Sequence, residues 1–120
     1  MTKVGIANSP LGRIVVDGKG STVYLFEKDK GRASACYASC ASFWPPVTVK
    51  GKLAAGRGVL AGALGTTGRQ DGKVGVTYHG HPLYYFSGDV KPGDTNGEAL
   101  NKFGAEWYVL APSGKKIDRD

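Results

Sequence analysis

The first half of this chain is written twice, at an offset of 60 residues. Gly5, Gly12, Gly20, Tyr24, Phe26 and Asp29 recur as Gly65, Gly72, Gly80, Tyr84, Phe86 and Asp89. Between them Val4 aligns with Leu64, Ile14 with Val74, Val16 with Val76 and Val23 with Leu83, without a gap. Matched glycines mark places where the backbone needs unusual dihedrals or close approach, and matched apolar residues mark the core-facing side of each segment. A chain of 120 residues has room for one core and not for two independent ones. The two copies are therefore expected to fold together as one globule with a pseudo-two-fold axis.

The expected fold class is mainly β: a small single domain over 1–120, made of two pseudo-symmetric halves, each a short β-meander followed by a long loop with at most a short helix. The internal repeats run over approximately 4–47 and 64–110. A Gly/Ala-rich surface linker joins them at 51–63, and a polar, frayed tail follows at 113–120. Alternating β-branched and aromatic residues between turn signals place strands at 4–7, 13–17 and 22–26, again at 64–68, 73–78 and 82–86, and at 106–110. Helical turns are expected around the cysteines and near 59–63, and a short helix at 98–103. Trp44 and Trp107 are counterparts once three extra residues in the second half are allowed, each expected to plug one end of the core.

Sixteen basic against ten acidic residues give a net charge of +6. Such a surplus favours polyanionic partners, and anionic envelope components or another envelope protein are the expected ones. The basic residues are scattered and no nucleic-acid module signature is present, so no specific nucleic acid is expected. No apolar stretch reaches the roughly 18 residues of a transmembrane helix. No signal peptide or lipidation cysteine precedes Lys3, so the sequence is expected to be a mature form without its export signal.

Cys36 and Cys40 lie four apart. On one helical turn their Cα atoms would stand about 6 Å from one another, within disulfide reach. Closing so short a loop is worth about 2 kcal/mol in the chain-entropy model, in an oxidising compartment. The alternative is a reduced pair serving redox or metal chemistry, although the spacing is not the C-x-x-C of thioredoxin-type sites.

Tyr-x-Phe-x-x-Asp occurs as Tyr24, Phe26, Asp29 and as Tyr84, Phe86, Asp89. Spacing by two puts Tyr and Phe on one face of a strand, and the aspartate falls where a short acceptor can bond turn N–H groups. That makes a core pair and a turn cap. A catalytic reading would join Asp29 and Asp89 into an acid/base dyad, but the sequence supplies no accompanying nucleophile or oxyanion donors. No catalytic residue and no cofactor is expected. His79 and His81 flank Gly80 at a turn; with Cys36 and Cys40 they would make a Cys₂His₂ zinc or copper site, unless a disulfide removes the thiolates. Alternation turns Tyr85 away from Tyr84 and Tyr108 away from Trp107, which makes those two the expected outward aromatic binding patch.

The chain resembles the bacterial "secreted repeat of unknown function" lipoproteins, described by their Y-x-(F/W/Y)-x-x-D motif. The resemblance rests on residues 22–29, 36–46, 77–86, 93–97 and 106–109 and spans roughly 10–112. It implies a secreted or envelope-anchored location, often by lipid attachment, and no established activity. The reading that results is an extracytoplasmic cell-envelope domain, a non-catalytic binding or structural module stapled by Cys36–Cys40. The alternative is a redox or copper/zinc-handling protein using the cysteines, with or without the two histidines.

Overall fold

Glycine-punctuated β-branched segments close as hairpins in this chain, seen in a computed structural model that describes residues 2–118. β1 (Thr2–Ser9) and β2 (Gly12–Asp17) pair antiparallel, with Ala7 opposite Ile14 and Gly5 opposite Val16. β3 (Tyr24–Phe26) follows, then a loop ending in the one-turn helix α1 (Ser39–Phe43). β4 (Leu53–Ala55) runs parallel to β1, with Thr2 opposite Leu53. The second half repeats the hairpin as β5 (Leu64–Gly68) and β6 (Val74–Tyr78), with β7 (His81–Pro82) on the far side of β6. β8 (Asn101–Lys102) and β9 (Ala105–Val109) complete it. The sheets are β2-β1-β4, β3-β9-β8 and β5-β6-β7.

The repeats exchange strands. β3 of the first half pairs with β9 of the second, Tyr24 opposite Val109 and Phe26 opposite Trp107. Reciprocally, the Tyr85 N–H donates to the Pro45 carbonyl at 2.7 Å and the Val47 N–H to the Leu83 carbonyl at 2.9 Å. Pro45 and Pro46 have no N–H to give, so this second pairing stays a bridge rather than a full ladder. Between the two, the Tyr24 N–H donates to the Tyr84 carbonyl at 2.8 Å and the Tyr84 N–H returns the bond at 3.0 Å. A reciprocal pair of this kind marks the pseudo-two-fold axis.

The gap-free alignment of the repeats is corrected inside the hairpins. Gly5 faces Val16, while its counterpart Gly65 faces Thr77, so Val15 corresponds to Val76 and Ile14 to Gly75. One residue is gained in the first turn of the second half and lost again in its next turn. A shift by one residue moves a side chain to the opposite face of a strand. Ile14 is accordingly buried, at 1% exposure, whereas Val74 is 43% exposed.

Three further expectations change. No helix forms at 98–103: the Ala99 N–H donates to the Trp107 carbonyl at 2.7 Å and the Trp107 N–H to Leu100 at 2.9 Å, which turns the segment into the partner of β9. The linker 51–63 is no bare surface loop, because β4 lies along β1, and its helical turn is a 3-10 turn at Ala61–Ala63. Nor is the tail frayed through the residues described. The Ile117 N–H donates to the Val109 carbonyl at 3.0 Å, and the Gly114 backbone lies so close to the His79 ring that a Cβ would meet it at 2.2 Å. Residues 119 and 120 of the expected tail lie outside the described residues.

Alternation along Val23-Tyr24-Leu25-Phe26 feeds two core regions, one on each side of the strand. Val23 and Leu25 join Val4, Val15, Val76, Leu83 and Leu110 in an aliphatic cluster. Tyr24 and Phe26 join Ile14, Trp44, Tyr84, Trp107, Val109 and the two cysteines in an aromatic one.

Candidate functional site

The Tyr-x-Phe-x-x-Asp motifs bind each other across the repeat boundary. The Tyr24 hydroxyl donates to Asp89 Oδ2 at 2.6 Å, and the Tyr84 hydroxyl donates to Asp29 Oδ2 at 2.7 Å. Each carboxylate also accepts a backbone N–H from its own loop, Ala35 to Asp29 at 2.7 Å and Asn96 to Asp89 at 2.9 Å. Burial raises the pKa of both phenols above the usual tyrosine value, and the paired carboxylates add to it. Burial also pushes the Asp29 carboxyl up to about 6, against the opposing pull of Tyr84, the Ala35 N–H and Arg69. Asp89 moves in the same direction for the same first cause. Neither carboxylate takes the other as a partner, so no Asp29–Asp89 dyad forms.

The aromatic members stack as a palindrome. Trp44 and Trp107 lie face to face, centroids 3.9 Å apart and planes 4° from parallel. Phe26 caps Trp107 at 3.9 Å and Phe86 caps Trp44 at 4.3 Å, so each repeat's phenylalanine covers the other repeat's tryptophan. The expectation that each tryptophan plugs a separate end of the core is thus overturned, because strand exchange brings both to the axis. The Trp107 indole N–H donates to the Lys102 carbonyl at 3.0 Å. That of Trp44 is buried and has no acceptor among the described residues.

Cys36 and Cys40 form a disulfide with Cα atoms 5.2 Å apart, packed in the aromatic cluster. Around it lies a network that motif reading missed. Arg69, in the turn between β5 and β6, is only 7% exposed. Its Nη1 donates to Ser34 Oγ at 3.1 Å, its Nη2 to the Cys36 carbonyl at 2.9 Å and its Nε to Asp71 at 3.0 Å. The guanidinium sits 4.5 Å over the Tyr37 ring. Ser34 Oγ in turn lies 2.6 Å from the Tyr84 hydroxyl, which links Arg69 to the Tyr84–Asp29 pair. The one available sequence signal was an arginine two residues before an aspartate in a turn, a pattern too common to single out.

The expected outward patch at Tyr85 and Tyr108 is not formed. Both do point away from Tyr84 and Trp107, but that side carries the aliphatic cluster: Tyr108 is 2% exposed, and Tyr85 packs against the cluster with its hydroxyl on Asp17 at 2.8 Å. His79 is exposed with φ 49°, its ring edge-on to Tyr78. His81 is half-buried, and burial lowers its pKa. With the cysteines bonded to each other no thiolate is left to join the histidines, and no cluster of three or more metal-ligating side chains occurs among the described residues. No helix among those residues is long and apolar enough to cross a membrane.

The sequence profile of a lipoprotein family described as a secreted repeat of unknown function matches residues 5–48 and, a second time, 65–111. The two matches together cover about three-quarters of the chain. Neither the curated proteins nor the solved structures gave a match.

Proposed function

This chain belongs to the family described as a secreted repeat of unknown function, and on that premise we propose that it is a non-catalytic binding module of the cell envelope. The observation that carries this reading is the use to which the shared motif is put. Both tyrosine hydroxyls and both aspartates are spent joining one repeat to the other, with bonds of 2.6 and 2.7 Å. A carboxylate so engaged is a structural clamp rather than a free acid or base. The disulfide suits an oxidising compartment. The net charge of +6 suits anionic envelope components as neighbours.

The redox or metal-handling alternative needs Cys36 and Cys40 as thiolates. Cys36 is fully buried and Cys40 6% exposed, which leaves little sulfur for an attacking thiol to reach. Intact mass under non-denaturing conditions separates the two readings, measured on the oxidised protein, after reductant, and with one equivalent of zinc or copper. The module reading expects a folded protein that resists mild reductant, gains about 2 Da only once unfolded with reductant, and retains no metal. A stoichiometric adduct lost on replacing His79 and His81, or a pair found reduced as isolated, would overturn it.

A further inference from the structure

Phe43 and Phe103 are 55% and 38% exposed, and their rings lie 5.9 Å apart on the surface. The two rings contact each other and line one groove of about 320 Å³, whose other walls are Trp44, Phe86, Leu100 and Lys102. Trp44 lies beneath these walls, buried and covered on both faces, so the open ring surface belongs to the phenylalanines. A surface cleft walled by three phenyl rings, two of them exposed, is uncommon on a small domain, where large apolar side chains are normally covered.

The backbone holds these walls at a cost. Among the described residues, four that are not glycine adopt left-handed φ: Ala38, His79, Ala99 and Phe103. Three of them bracket the groove. Ala38 begins the helix that ends in Phe43, Ala99 precedes Leu100, and Phe103 is itself a wall. Phe103, with φ 60°, occupies a turn position that Asn or Gly would fill without strain. A bulky side chain there costs on the order of 1 kcal/mol and buys exposure of a phenyl ring. The disulfide stiffens the opposite wall, since Cys40 lies within the helix that carries Phe43.

The one charged residue lining the groove is a cation, with a second close to the Phe103 turn. Lys102 lines the groove, and the Lys28 ammonium stands over Gly104, 3.3 Å from where a Cβ would be. The ion pairs found among the described residues engage Arg69 and Lys116, not these two lysines.

From the rings, the strain and the rim charge together, the structure assigns this groove as a binding site for a small planar aromatic molecule carrying an anionic group. The rings take the flat apolar body by stacking, Lys102 takes the negative charge, and the volume suits two or three fused or linked rings. This rests on the binding-module reading and gives it a ligand class.

The test uses two fluorescent probes on the full chain: 8-anilinonaphthalene-1-sulfonate, which is aromatic and anionic, and neutral N-phenyl-1-naphthylamine. Both should bind saturably with one site. Phe103→Gly removes a wall, and relief of the strained turn offsets part of the packing it loses; with its fold verified by urea unfolding, it should bind both probes about tenfold more weakly. Lys102→Gln should weaken the sulfonate several-fold and leave the neutral probe unchanged. Absence of saturable binding, binding at several equivalent sites, or Phe103→Gly binding like the parent would overturn the assignment. Each of those results leaves the mass-spectrometric test of the module reading untouched, so the two can fail separately.

Discussion

The two Tyr–Asp clamps are built from the same motif, yet they are secured in different ways. At Tyr84–Asp29 the phenol also meets Ser34 Oγ, which a buried arginine holds in turn, and the disulfide loop wraps the site. At Tyr24–Asp89 no cation takes part among the described residues. The phenol oxygen accepts the Gly97 N–H at 3.1 Å, the carboxylate accepts the Asn96 N–H, and the nearby Asp94 charge adds to the upward shift of Asp89. One clamp is fastened by a charged side-chain network and the other by backbone amides at close quarters. A motif thus fixes which groups meet across the repeat, and the loops decide what backs them. Ser9 shows how little sequence that takes. It sits where Arg69 does in the other half, but its hydroxyl only caps its own turn, on the Gly12 carbonyl at 2.7 Å.

The amide-backed clamp should be the one most easily broken by a single methyl group. A Cβ on Gly97 would stand 2.9 Å from two ring carbons of Trp44 and from Tyr24 Cζ. Those rings are fully buried and have nowhere to move. Gly97→Ala is expected to cost about 2–4 kcal/mol in urea unfolding, through overpacking and a displaced N–H donor. A loss below about 1 kcal/mol would mean that the loop is free to shift and that the clamp is not backed by close approach.

The charge-backed clamp should show coupling that its counterpart lacks. Asp29→Ala and Asp89→Ala each leave a buried phenol and a backbone N–H without their acceptor, for about 2–3 kcal/mol. Arg69→Met removes the cation that helps to hold Asp29 ionised and does not act on Asp89. In double-mutant cycles, Arg69→Met with Asp29→Ala should depart from additivity by about 1 kcal/mol, and with Asp89→Ala by less than about 0.5. Equal coupling to both aspartates would erase the distinction between the clamps.

A smaller effect follows from pH. Asp29 titrates at about 6 in the fold, above the ordinary aspartate value of 3.8, so between those values the folded state holds the proton more tightly than the unfolded one. Its contribution to stability is therefore complete below pH 3.8 and is lost as pH rises through 6. Water still reaches part of the group, so the loss is on the order of 1–2 kcal/mol. Asp71 and Asp94 are shifted down, by Arg69 and by turn N–H groups, so their windows lie below this one and run the other way. Asp89 is raised for the same first cause and adds to the fall, so urea midpoints from pH 4 to 7 should fall for the parent and fall less steeply in Asp29→Asn. A fall unchanged in that variant would assign the titration elsewhere.

Much of this architecture was legible in the sequence because it is local. The alternation Val23 to Phe26, the turn glycines and the short Cys36–Cys40 loop each declare themselves within a few residues. The site was less legible because it is made of long-range meetings. Nothing near Tyr24 announces that its hydroxyl will find Asp89, 65 positions away, or that Trp44 will stack on Trp107. A short helix was open to 98–103, whose Ala and Leu are good helix formers, but the edge of β9 takes that backbone instead. Arg69 lay in a polar turn, where a buried guanidinium is not expected. Nothing in the sequence sets Phe103 apart as an exposed ring beside Phe43; only the fold leaves the two uncovered.

The smallest predicted effect tests the register itself. A gap-free repeat makes Val74 the counterpart of Ile14 and so a core residue. In the structure Val74 opposes Gly68 and stands 43% exposed, while the residue equivalent to Ile14 is Gly75. Val74→Thr keeps the β-branch and adds one hydroxyl. On an exposed strand position that should change stability by less than about 0.5 kcal/mol, since strand propensity is retained and little apolar surface is lost. The same exchange at Val76, which is fully buried, puts an unpartnered hydroxyl in the aliphatic cluster and should cost about 1–3 kcal/mol. Reversed magnitudes would restore the gap-free alignment and move β6 by one residue. With it would go the Thr77–Gly65 pairing that sets how the second hairpin presents Tyr84 to Asp29.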